Sequence, residues 1–165
     1  MSEFPLATRR QALGLAPLAL ASAVMALSGA RIAQGAQIER SDAQWRAQLT
    51  PDQYSVLRQA GTERPYTSKL LHEARAGVFA CAGCDLPVFS SKAKFDSGTG
   101  WPSFWAPLDG AIATAKDSTL GMTRDAVACK RCEGHLGHVF NDGPKPTGLR
   151  YCMNGVALKF TAGVA

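Results

Sequence analysis

LRYCMNGVALKF, residues 149–160, is the stretch whose phasing decides the fold. From its start the odd positions Leu149, Tyr151 and Met153 are apolar, and the even positions are Arg150, Cys152 and Asn154. A period of two marks a strand with one face in a core. A cation, a thiol and an amide then project together from the other face. Past Gly155 the apolar set moves to even positions, Val156, Leu158 and Phe160. The phase breaks at Asn154-Gly155. A β-bulge produces such a break, and so does a two-residue Asn-Gly hairpin turn. The hairpin would set Arg150 opposite Lys159, a like-charge pair, which favours the bulge.

Upstream the texture is similar. From about residue 76, short apolar runs such as GVFAC, LPVFS, AIAT, AVAC and GHVF alternate with Gly, Pro, Asp and Asn. Such runs predict a mostly antiparallel β domain. One small helix is expected at its N-terminal edge, over LTPDQYSVLRQAGTE. Thr50 caps it, Pro51 suits its first turn and Gly61 ends it. Residues 31–45 are polar and read as an irregular tether.

The first 36 residues read differently. Arg9 and Arg10 precede an apolar run from Leu13 to Leu27, and small residues follow. That is the layout of an export leader of the twin-arginine type. The run is shorter than the ~20 residues of a spanning helix and contains Gly14 and Pro17. The expected arrangement is a leader over 1–36, cut near Ala30 or Ala36, and one domain over 37–165. The location implied is the bacterial periplasm, with membrane contact only through the leader. The net charge of +5 is small, and the basic residues are scattered rather than striped, which argues against a nucleic-acid partner.

Five cysteines punctuate the chain. Cys81/Cys84 and Cys129/Cys132 form two C-x-x-C knuckles, the pattern of a tetrahedral zinc site with thiolate ligands. Export would also permit disulfides, and a single C-x-x-C can be a redox pair. CKRCEGHLGH could chelate through Cys129, Cys132, His135 and His138, but this would strand the first knuckle. A closed four-cysteine structural zinc site is favoured. Cys152 is left over. Two further stretches suit a pocket: SGTGWPSFW (97–105), with Trp101 held between Gly and Pro, and HLGHVFNDG (135–143), with two imidazoles three residues apart.

GTERPY, CAGC, FDSGTGWPSF, CKRCEGHLGHVFNDGPKPTGLRYCMN and ALKF, in that order over about residues 49–160, resemble the B-type methionine-R-sulfoxide reductases. The resemblance implies a mainly β fold of two antiparallel sheets in an open, tent-like arrangement, with helices at the N-terminal side. It matches the zinc cysteines to Cys81, Cys84, Cys129 and Cys132, and the nucleophile to Cys152. The active-site histidines match His135 and His138, and the flanking residues match Arg150 and Asn154. The substrate-pocket tryptophan matches Trp101, and Phe140 joins it as an expected substrate contact.

A sulfoxide sulfur needs a thiolate to attack it and an acid to protonate its oxygen. Arg150 is expected to lower the Cys152 pKa, His138 or His135 to give the proton, and Asn154 to position an imidazole or the substrate. Thr99 stands where many relatives carry a resolving cysteine. The implied cycle therefore uses one cysteine, and an outside thiol, such as a thioredoxin-like protein, reduces the sulfenic acid. Gly155 also departs from the family, which more often has Ser there. The competing reading is a zinc-stapled β module that binds partners, with Cys152 buried and inert.

Overall fold

A computed structural model describes residues 38–118 and 123–164. The expected leader and its cut site lie outside the described residues. Among those residues no helix is long and apolar enough to cross a membrane.

Among the described residues two short helices come first. α1 (Asp42–Gln48) opens on a capping box in which Ser41 and Gln44 satisfy each other's backbone N–H. α2 (Pro51–Gln59) repeats the device with Thr50 and Gln53. α1 occupies part of the segment expected to be an irregular tether; the S-x-x-Q spacing was its signal. α2 ends at Gln59, two residues before the expected glycine. Ala60 takes the left-handed conformation, φ 53°, and the Gly61 N–H bonds the Ser55 carbonyl at 2.9 Å.

Nine strands follow among the described residues: β1 (Gly77–Cys81), β2 (Pro87–Ser90), β3 (Lys94–Phe95), β4 (Ser103–Phe104), β5 (Ile112–Asp117), β6 (Arg124–Cys129), β7 (His135–Phe140), β8 (Arg150–Met153) and β9 (Leu158–Ala162). They form two antiparallel sheets, one of three strands ordered β2-β1-β9 and one of six ordered β3-β4-β8-β7-β6-β5. Aromatic side chains join the sheets. Phe104 of β4 stacks on Phe89 of β2 at 4.4 Å and meets Phe79 of β1 edge-on at 4.9 Å. Tyr151 of β8 lies 5.9 Å from Phe89. Pairs of this kind add about 0.5–1.5 kcal/mol each beyond the burial of their area. Tyr151 and Met153 are buried, so β8 puts its odd face into the core.

The phase break has another cause than the bulge or hairpin expected. β8 belongs to the six-stranded sheet and β9 to the three-stranded one. A single 3-10 turn, Gly155–Ala157, carries the chain between them. Each strand faces its own sheet's core, so the apolar set changes parity at the crossing. Arg150 and Lys159 are never cross-strand partners: Phe140 and Ala80 stand opposite them.

Candidate functional site

The two C-x-x-C knuckles are built alike. Each begins at a strand end, Cys81 of β1 and Cys129 of β6, and turns through a left-handed residue, Asp85 at φ 58° and Glu133 at φ 57°. In each, that residue's N–H returns to the first cysteine's carbonyl at 2.9 Å. The four sulfurs lie within 4.8 Å of one another. Cys81 and Cys132 are 3.7 Å apart, and Cys84 and Cys129 are 3.5 Å apart. A tetrahedron of metal–sulfur bonds of about 2.3 Å has edges of about 3.8 Å. Two of the sulfur pairs match that edge, and the whole set is compact enough to gather around one four-thiolate ion.

The helices close the cluster. Gln48 Nε2 donates to the Gly83 carbonyl at 2.7 Å, and Arg58 donates to the Cys132 carbonyl at 2.9 Å. Carbons of Leu57 and Trp45 lie 3.6 Å from where a Cβ on Gly83 would stand. Three of the four cysteines are buried and Cys84 is half-buried.

Cys152 sits elsewhere, in the middle of the large sheet. Its register partners are His138 on β7 and Ser103 on β4. His135 and His138, three residues apart, would face opposite ways on a regular strand. A bulge corrects this. Gly137 pairs with Val127 and His135 with Ala128, so Leu136 is the extra residue. The two rings then share a face, 5.1 Å apart and edge-on. The carbonyl of Leu136, freed from the ladder, accepts from Asn154 twice: from its N–H at 2.8 Å and from Nδ2 at 3.1 Å. Asn154 Oδ1 accepts the Glu63 N–H at 3.0 Å. The Asn154 amide was expected to hold an imidazole or the substrate. It is spent on backbone instead, and it acts on the histidines through the bulge.

The histidines differ. His135 is buried, and its Nε2 has no hydrogen-bond partner. Burial, helped by the nearby His138, lowers its pKa to about 4, so it is neutral at neutral pH. His138 Nε2 lies 2.8 Å from Asp117 Oδ2, and Asp117 also pairs with Arg124 at 3.0 Å.

Arg150 was expected to activate Cys152. Its guanidinium is shared. It donates two hydrogen bonds to Asp142, at 2.9 and 2.8 Å, and lies 4.4 Å from the Phe140 ring centre. Burial pushes the Cys152 thiol up, and the pull of Thr99 and Arg150 does not overcome it. In this state the thiol is not net activated. Phe140 lies 6.5 Å from the His138 ring; one of its faces is taken by Arg150.

Thr99 Oγ1 stands 3.9 Å from Cys152 Sγ and joins a hydroxyl chain through Ser97 (2.8 Å) to Ser103 (2.7 Å). Trp101, on the same loop, donates Nε1–H to the Glu63 carbonyl at 3.1 Å. The loop runs along β8, with the Met153 N–H bonded to the Pro102 carbonyl at 2.9 Å. Gly155 is tight: a Cβ there would lie 1.7 Å from Ser68 Oγ.

Glu63, Asp117 and Asp142 escaped the sequence reading as site residues. Glu63 lay in plain view inside GTERPY. The two aspartates become meaningful only through strand register.

Arranged like this, a half-buried thiol faces an imidazole across a strand pair, with a hydroxyl and a guanidinium beside it. A tryptophan loop flanks the group. It can present sulfur to a small electrophile and deliver a proton.

Comparison with known proteins agrees. Residues 49–162 match the SelR domain model. The chain's relatives include proteins named peptide methionine sulfoxide reductase MsrB. That of Pseudomonas putida (strain W619) is 55% identical over 125 residues, covering 75% of this chain and 94% of the relative. That of Agrobacterium fabrum is 53% identical over 125 residues, 75% and 93%. That of Leifsonia xyli subsp. xyli is 56% identical over 126 residues, 75% and 91%. Motif, fold and sequence identity converge, and the chain belongs to the SelR family, that of the MsrB methionine sulfoxide reductases.

Proposed function

We propose that this chain reduces the R epimer of methionine sulfoxide in proteins through Cys152. The Cys152 sulfur attacks the sulfoxide sulfur while a proton goes to the sulfoxide oxygen. Oxygen passes to Cys152, which becomes a sulfenic acid, and methionine leaves. Sulfoxide sulfur is reduced by two electrons and Cys152 is oxidised by two. Two thiol equivalents from a thioredoxin-like protein or small dithiol then return Cys152 to the thiol, releasing water and a disulfide. No other cysteine serves as a resolving thiol, since the remaining four are gathered in the cluster and Thr99 supplies only a hydroxyl.

The observation that carries this reading is the β7–β8 register, which sets His138 opposite Cys152. His138 is the proton donor in our reading, because His135 is held neutral by burial. Asp117 accepts from His138 Nε2–H and fixes the ring. Trp101 grips the terminal methyl and sets epimer choice. Arg150 supports the thiolate that forms. The four cysteines hold zinc, which prefers four thiolates in a tetrahedron and here supplies folding energy and no open coordination position.

Purified protein given the two sulfoxide epimers in a peptide, with a dithiol donor, is expected to consume the R form only. Equal consumption, or none, would overturn the proposal. Residues 1–36 are proposed as a twin-arginine leader that sends the domain to the periplasm. Replacing Arg9 and Arg10 by Lys should leave the protein in the cytoplasmic fraction, and unchanged export would refute that.

A further inference from the structure

Glu63 bonds to Trp101, to Asn154 and to the turn that follows β8. Its carbonyl accepts the Trp101 indole N–H at 3.1 Å. Its N–H donates to Asn154 Oδ1 at 3.0 Å, and Asn154 in turn fills the bulge that aligns the two histidines. Its carboxylate accepts the N–H groups of Gly155 and Val156, which open the 3-10 turn just past β8. The next residues continue the clasp. Tyr66 N–H bonds the Gly100 carbonyl at 2.7 Å, and Tyr66 OH donates to the Gly98 carbonyl at 2.8 Å. One loop thus holds the tryptophan loop with its backbone and the chain after the nucleophile with a side chain.

We propose that Glu63 is a positioning residue for sulfoxide reduction: its carboxylate, by pinning the turn after Cys152, locks the Trp101 ring at a fixed place relative to the Cys152 sulfur. This rests on the reductase reading above. The carboxylate has two oxygens for two N–H donors, Gly155 and Val156. With those bonds in place, the backbone of residue 63 cannot shift without dragging β8's end with it. Remove the carboxylate and three elements uncouple. The turn gains two unpaired N–H groups, the strap loses its anchor, and the indole's acceptor moves with the strap. A methyl grip and an attacking sulfur must keep their spacing within a fraction of an ångström, since a 1 Å error costs about 100-fold in rate. The position is local to the chemistry but makes no contact with it, so its loss should change fit more than it changes attack.

The test uses the metal-loaded protein, with active sites counted by stoichiometric alkylation of Cys152. Glu63→Ala is expected to lower kcat/KM for the R sulfoxide roughly 10- to 100-fold per active site, with a rise in KM carrying much of it. The preference for R over S should fall with it. Glu63→Gln keeps one acceptor oxygen and should lie between. The second readout needs no turnover. Of the three indole N–H signals in a nitrogen-15 spectrum, that of Trp101 should move in Glu63→Ala while that of Trp45, packed under the metal knuckles, stays. KM, epimer preference and the Trp101 signal all unchanged per active site would overturn the proposal, even if less protein folds. If Glu63→Ala does not fold, the same three readouts on Glu63→Gln decide in the same way. Absence of turnover by the unaltered chain would sink the reductase reading, and Glu63's role in the reaction with it.

Discussion

Two sulfur environments share this small domain. In the cluster, Cys81, Cys129 and Cys132 are buried, and each sulfur's neighbours are other sulfurs at 3.5–3.7 Å. At the centre of the large sheet, Cys152 stands alone, half-buried among a hydroxyl, a guanidinium and an imidazole. Hydrogen bonds from Cys132 and Cys81 drive the Cys129 thiol far down, and the bond to Cys129 drives Cys81 far up. Crowded thiols cannot all ionise until a cation joins them, and then they are ligands. Cys152 has burial and polar side chains, not other sulfurs, to set its charge. On the function proposed above, fold energy belongs to the cluster and chemistry to Cys152, and substitution should separate them cleanly.

The sharpest break comes from treating both kinds of cysteine alike. Cys152→Ser should lose on the order of 1,000-fold or more of the reductase activity while keeping metal content and melting temperature. Cys132→Ser should do the reverse in origin: metal is lost, and stability falls by more than about 4 kcal/mol. Metal analysis and thermal unfolding on both proteins check this. A stable, metal-bound Cys132→Ser would dissolve the distinction.

His135 links the two regions, since β7 starts three residues after Cys132. Its pKa is held at about 4 by burial, against an ordinary value of 6.5. Below 6.5 the unfolded chain takes a proton that the folded chain refuses. Stability is therefore complete above about pH 6.5 and declines as pH falls toward 4, by on the order of 3 kcal/mol from this group. Acid also strips thiolate metal, so the measurement is a difference. The pH dependence of unfolding between pH 6.5 and 4 should be shallower in His135→Asn than in the parent. Identical slopes would mean that the imidazole is not held neutral.

The third test lies at the crossing between sheets. A side chain at 155 would meet Ser68 Oγ at 1.7 Å and Ser68 Cβ at 2.8 Å. Rotating Ser68 clears its oxygen but not its Cβ, and breaks its bond from the Leu70 N–H. Gly155→Ser should cost about 1–3 kcal/mol as overpacking. Adding Ser68→Gly should restore much of that, since neighbours in contact couple by about 0.5–3 kcal/mol. Additive losses in denaturant unfolding would show that the two residues do not share this space.

The sequence carried the metal set and most of the candidate site because both are written as local spacing. C-x-x-C, the even face of residues 150–154, and the Gly-Trp-Pro loop need no knowledge of what pairs with what. The β content, α2 and its cap were legible for the same reason. What failed depended on register or on sheet membership. The break at Asn154-Gly155 was visible, but a bulge, a hairpin and a change of sheet leave the same parity shift. The bulge at Leu136 was invisible, although without it His135 and His138 could not share a face. Arg150 does pull the Cys152 pKa down as expected; what stayed hidden is Asp142, which lies across a loop that no periodicity describes and shares the guanidinium. Asn154 was placed on the reactive face correctly in phase, yet its amide was claimed by the Leu136 carbonyl that the bulge had released.

The smallest expected effect probes Arg150. Its guanidinium stands between two anions, the Asp142 carboxylate and any thiolate at Cys152. Burial raises the Cys152 pKa; Thr99 and Arg150 lower it, and Asp142 raises it again. Asp142→Asn removes one negative charge and leaves the guanidinium in place. The thiolate then has the cation to itself, so the Cys152 pKa should fall by about half to one unit. Alkylation near neutral pH, where only the thiolate reacts, should speed up roughly 3- to 10-fold. Adding Arg150→Gln should cancel the gain, because without the guanidinium Asp142 has nothing to withhold. The cluster cysteines provide the internal standard. Their sulfurs are buried or metal-bound and should not change rate in any of these proteins. If the alkylation midpoint stays where it was in Asp142→Asn, the polar side chains around Cys152 do not govern its charge. Burial alone would then set the Cys152 charge, where neighbouring sulfurs set that of the cluster.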